Sequence, residues 1–127
     1  MELKTEYLKS ILSKYAGETL AVGRIEHNET CLKIIFDSYT CDYLYCRDGT
    51  MKVYISDLND NVSRYGTIEL DGIDRIEIYD SFDMLMVYIY RYNECIELIF
   101  RGEKVKKDIQ KNCESNWHDD SQLKQQK

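Results

Sequence analysis

Hydrophobic positions recur along this chain at two different periods. Leu8, Ile11, Leu12 and Tyr15 stand at helical spacing, with Thr5 placed as an N-cap and Gly17 where a helix would end. The pattern predicts an amphipathic helix over residues 3–16. From Leu20 onward, short runs rich in Val, Ile, Tyr and Thr are separated by Asn, Asp and Gly, the mark of successive strands. Gly102 ends that pattern, and Glu103 to Cys113 reads as a short basic helix with Val105, Ile109 and Cys113 on one face. The polar remainder predicts a single domain over residues 1–113 and a mobile tail over 114–127. The expected fold is α+β and mainly β, with about seven short, mostly antiparallel strands between the helices, in a small barrel or a sandwich.

Turn residues set strand registers. Asp48-Gly49 predicts a two-residue type I′ loop, which places Cys46 opposite Met51, Leu44 opposite Val53 and Tyr43 opposite Tyr54. One face of that hairpin then carries Leu44, Cys46, Met51, Val53 and Ile55, and the other Tyr43, Tyr45, Lys52 and Tyr54. A second hairpin turns at Tyr92-Asn93, with Ile89 opposite Ile96, Val87 opposite Leu98, Leu85 opposite Phe100 and Tyr88 opposite Glu97. Its reverse face, including Met84, Met86, Tyr88, Tyr90, Cys95 and Ile99, is also largely apolar, which predicts a central place in the sheet. Between the two hairpins, a three-residue loop at Asp71 to Ile73 would pair Ile68 with Ile76 and Glu69 with Arg75. The segment Ile68 to Ile78 resembles the strand, single turn and strand of small SH3-like and Sm-like barrels.

At 127 residues, 43% hydrophobic and 31% charged, the chain has the make-up of one folded domain. No run approaches the roughly 18 apolar residues of a membrane span. Met1 to Glu6 carries acids and is not followed by an apolar stretch, so no secretory signal is expected and the cytoplasm is the expected location. Five cysteines cannot all pair within one chain, and free thiols are the expectation there.

Candidate chemistry is sparse. Cys41 and Cys46 lie five residues apart on one predicted strand, which sends their side chains to opposite faces, so no metal or disulfide is expected of them. His27 and His118 have no triad context and no phosphate loop occurs, so neither catalysis nor a cofactor is expected.

The formal charge of -6 is unevenly placed. Residues 57–83 hold eight acids against Arg64 and Arg75, so that segment carries the whole imbalance and the rest is neutral. An acidic region beside aromatic strands suits docking of a basic partner, and it weighs against direct nucleic-acid binding. The leading expectation is a small non-catalytic binding protein that blocks a basic protein, such as a toxin or nucleic-acid enzyme, in the manner of immunity proteins, antitoxins and phage-encoded inhibitors. Asp57, Asp60, Asp71, Asp74, Asp80 and Asp83 would steer the partner, and Tyr43, Tyr45, Tyr54 and Tyr65 would anchor it. A second reading is a barrel module stacking a nucleotide, RNA or peptide on its tyrosines, with Arg101, Lys104, Lys106, Lys107 and Lys111 alongside. A third is a phage or oligomeric structural subunit in which the two-sided apolar hairpin at residues 84–100 continues a sheet across a symmetry axis.

Overall fold

A computed structural model describes residues 3–58, 65–70, 72–92 and 94–116. In chain order the elements are α1 (Leu3–Lys14), β1 (Thr19–Glu26), β2 (Glu29–Phe36), β3 (Tyr39–Tyr45), β4 (Met51–Asp57), β5 (Tyr65–Glu69), β6 (Ile73–Ser81), β7 (Met84–Arg91), β8 (Glu94–Arg101) and α2 (Glu103–Asn116). The fold is α+β and mainly β. Its eight described strands form a five-stranded antiparallel sheet, in the order β2-β1-β8-β7-β6, and a three-stranded one, β3-β4-β5. The sheets do not close into a barrel. They face each other across a core, and Phe36 and Ile34 of one sheet and Ile55 and Ile68 of the other line a small cavity of about 110 Å³ between them.

Both helices pack on the same core. Leu8, Ile11 and Leu12 of α1 with Tyr15 just beyond it, and Val105 and Ile109 of α2, join Leu20, Phe36, Tyr39, Val53, Leu98 and Phe100 in one buried cluster. The apolar stripe of α1 was legible in its spacing, but Thr5 is not its cap. Thr5 sits within the helix, buried, with its hydroxyl donating to the Leu70 carbonyl at 2.6 Å. Gly17, with φ 95°, turns the chain out of α1 as expected, and its N–H donates to the Tyr39 carbonyl at 2.8 Å. The Tyr39 hydroxyl reaches back to the Leu12 carbonyl at 2.6 Å, so β3 and the end of α1 fix each other.

The β7–β8 register agrees with the sequence reading at every pair named above, and β8 occupies the centre of the larger sheet. The β3–β4 register is corrected by one residue. Tyr45 lies opposite Met51, Tyr43 opposite Val53 and Leu44 opposite Lys52. The cause is the loop: Cys46 N–H donates to the Thr50 carbonyl at 2.8 Å, which leaves Arg47, Asp48 and Gly49 in the turn. Only Gly49 of the three has positive φ, at 91°, and the Asp48 carboxylate accepts from the Thr50 N–H and hydroxyl. This is a type I turn followed by a glycine in the left-handed region, not a type I′ pair. A one-residue slip exchanges the two faces of a strand, so Leu44 is exposed and Tyr43 turns toward the core.

The expected pairing of Ile68 with Ile76 is also overturned. Ile68 pairs with Val53 in the three-stranded sheet, whereas Ile76 pairs with Ile89 in the five-stranded one. The chain crosses between sheets here, and the likeness to a barrel hairpin at residues 68–78 does not hold. Arg91, itself buried, ties the crossing together through the Glu69 carbonyl and its carboxylate.

Candidate functional site

The slip in β3 separates the predicted tyrosine anchors. Tyr43 and Tyr45 are taken up by α1: the Tyr43 hydroxyl lies 3.1 Å from Ser13 Oγ, and the Lys9 ammonium stands 5.1 and 5.0 Å from the Tyr43 and Tyr45 ring centres. Lys9 also donates to the Tyr45 hydroxyl, and that bond holds its ammonium above the ordinary lysine range. These rings strap the helix to the smaller sheet. Tyr54 looks out from the opposite face, opposite Asp42. The side chain of Tyr65 lies outside the described residues, as do Asp60 and Asp71.

The described acids disperse in the same way. The Asp57 carboxylate accepts the Asp37 N–H at 2.7 Å and the Ser38 N–H at 3.2 Å, closing the turn between β2 and β3. Asp74 and Asp80 lie six positions apart on β6, roughly 20 Å along an extended strand. Asp80, near the end of β6, and Asp83, within the β6–β7 turn, stand three positions apart in the chain and are both exposed.

That turn holds the feature that sequence reasoning missed. Ser81 pairs with Met84, so Phe82 and Asp83 form a two-residue loop. Phe82 has φ 51° and is 92% exposed. Tight hairpin loops need positive φ, which Gly, Asn and Asp adopt easily and an aromatic residue does not, at a cost of about 1–2 kcal/mol. Phe82 therefore combines an unfavourable backbone with a ring left in water, flanked by two exposed carboxylates. The available signal was an aromatic residue, with no Gly or Asn beside it, at the centre of an Asp-flanked turn.

On β6 and β7, a shallow depression of about 420 Å³ is lined by Glu77, Tyr79, Met86, Tyr88 and Tyr90. Tyr79 and Tyr88 meet edge to face, with ring centres 5.8 Å apart, and the Arg75 guanidinium stacks 3.9 Å over Tyr90. The hydrogen bond to the Glu77 carboxylate pushes the Tyr90 hydroxyl up to about 12. One cation of α2 and one of α1 are engaged where the two helices meet. Lys104 donates to the Lys14 carbonyl at 3.4 Å, and Lys14 pairs with Asp108 at 3.2 Å.

Cys31, Cys41, Cys46 and Cys95 are free thiols, and among the described residues no three His, Cys, Asp or Glu side chains converge on a common point. Burial pushes the Cys41 thiol up to about 12 and raises the Tyr39 and Tyr15 hydroxyls above the ordinary phenol range. Unfolding returns these groups to ordinary values of 9.0 for the thiol and 10.0 for the phenols. The stability they contribute is fully present below those values and is lost progressively as pH rises above them toward the raised folded-state values, because the unfolded chain then releases protons that the folded chain keeps. Unfolding free energies from urea titration should hold nearly constant up to about pH 8 and then fall with growing slope to about pH 11, by up to about 1.4 kcal/mol per pH unit for each titrating group. A flat profile would count against this burial.

No helix among the described residues is long and apolar enough to cross a membrane. Compared with known protein families, characterised proteins and solved structures, the chain finds no match.

Proposed function

We propose that this chain is a small, non-catalytic binding protein that blocks a basic protein partner with the tip of its β6–β7 hairpin, acting in the cytoplasm. Phe82 fills an apolar pocket on the partner, while Asp80 and Asp83 face cations at the pocket rim. The observation that carries this reading is the Phe82 ring itself, 92% exposed on a backbone of φ 51°. Such a residue contributes nothing evident to folding and has the character of a binding anchor, since a few projecting aromatic side chains supply most of the energy of a typical interface.

Charge supports the same partner class. A net charge of -6 draws a basic protein toward the surface, and the two tip carboxylates select for it at close range. Proteins that handle nucleic acid are basic where they meet phosphate, which makes a toxin or a nucleic-acid enzyme the favoured target. Blocking such a surface requires shape and charge and no reacting group.

Affinity capture from the native host, using the full chain, tests the reading. A basic protein should be recovered from the wild type. The Asp80→Lys/Asp83→Lys double variant should bind it with an association rate at least about tenfold slower at low salt, the difference shrinking as salt screens the charges. Recovery of no basic protein, or a rate indifferent to the charge reversal, would sink the proposal.

A further inference from the structure

The face of the five-stranded sheet turned away from the core carries a continuous apolar row. Strand register sets Ile35, Ala21, Ile99, Met86 and Tyr79 side by side, one from each strand from β2 to β6. Ile35 and Tyr79, at the two ends of the row, are 47% and 50% exposed. The smaller sheet and both helices pack against the opposite face, so no described element covers this row. On the central strand β8, the outward residues either side of Ile99 are Glu97 and Arg101.

We infer that this face is the interface between two copies of the chain, sheet against sheet, with a twofold axis running along the row from Ile35 to Tyr79. Two twofold arrangements bring such a face onto its copy with strands aligned, one of the two ways in which sheets pack face to face. An axis parallel to the strands would lay Glu97 over Glu97 and Arg101 over Arg101. An axis along the row reverses β8 across the interface, so Ile99 meets its own copy and Glu97 of each chain faces Arg101 of the other. The same operation sets Tyr88 against Met84, a favourable sulfur–aromatic pairing. The outward face is thus self-complementary in one arrangement and self-repelling in the other.

Area supports a second copy as the occupant. Five strands about 4.8 Å apart and eight residues long give a footprint of roughly 600 Å² before side-chain relief is counted. That is the order of the roughly 800 Å² per partner found in stable complexes. The row is apolar at its centre and charged on its flanks, the layout expected of an interface core and rim.

The isolated full chain suffices for the test, so its outcome is separate from that of the hairpin proposal. Sedimentation or light scattering should show a dimer at micromolar concentration. Glu97→Arg or Arg101→Glu alone places like charges across the axis and should weaken the dimer by about tenfold or more. The double variant Glu97→Arg/Arg101→Glu restores opposite charges and should recover the wild-type dimer. A wild-type chain that stays monomeric at high micromolar concentration would overturn the inference, as would a double variant no tighter than either single.

Discussion

Replacing Phe82 with glycine is expected to stabilise the folded chain and to destroy its binding at once. Glycine adopts a φ of 51° without the clash that an L side chain suffers, which removes about 1–2 kcal/mol of strain. Its greater freedom in the unfolded chain returns part of that gain, leaving a net increase of about 0.5–1 kcal/mol. With the ring 92% exposed, no packing is lost in the exchange. If the ring anchors a partner, its removal should cost at least about 2 kcal/mol of affinity, roughly thirtyfold in Kd. Urea unfolding and calorimetric titration with the captured partner read the two effects separately. A glycine variant that is less stable, or one that binds unchanged, would show that Phe82 serves the fold instead.

The largest loss of stability is expected at Phe100. It is fully buried on the central strand, with its ring 5.7 Å from that of Tyr15 and 5.9 Å from that of Tyr39, so it joins α1, β3 and β8 at one point. Truncation to alanine should cost about 3–5 kcal/mol, since the rings and aliphatic groups around it can close only part of the cavity. Set against a total stability of about 5–15 kcal/mol for an ordinary domain, that is enough to leave the chain partly unfolded at growth temperature. Leu44→Ala makes the informative control. In the register predicted from Asp48-Gly49, Leu44 is a core residue and its loss should be severe. In the observed register it is 47% exposed, and the change should stay within about 0.5 kcal/mol. Chemical denaturation of both variants distinguishes the registers.

What was legible in the chain was local and repetitive. The stripe Leu8, Ile11, Leu12, Tyr15 specifies α1 because a 3.6-residue period leaves one face apolar, and those four residues are buried. The β7–β8 register followed from a two-residue turn at Tyr92-Asn93, and a one-residue slip from it would place Glu97 against Val87 or Ile89. Where the local signal was short, it misled. Asp48-Gly49 is compatible with a two-residue and a three-residue loop, and the choice was made by burial of Tyr39, Met51, Val53 and Ile55 beneath α1. Nothing near Asp71-Gly72 in sequence shows that β5 and β6 part into different sheets. That depends on Val53 and Ile89 offering Ile68 and Ile76 better partners than each other.

The candidate site divides in the same way. Residue order alone places the charge of -6 on one segment, crowds tyrosines into the strands and makes the hairpin at residues 84–100 apolar on both sides. Packing between distant segments settles where those residues end up. It placed Asp57 in a turn, tied Tyr43 and Tyr45 to Lys9 and Ser13, and left Phe82 and the row through Ile99 facing water. The reason is physical: composition and period report how much apolar and charged surface a chain has. Which of it remains uncovered depends on contacts between residues far apart in sequence.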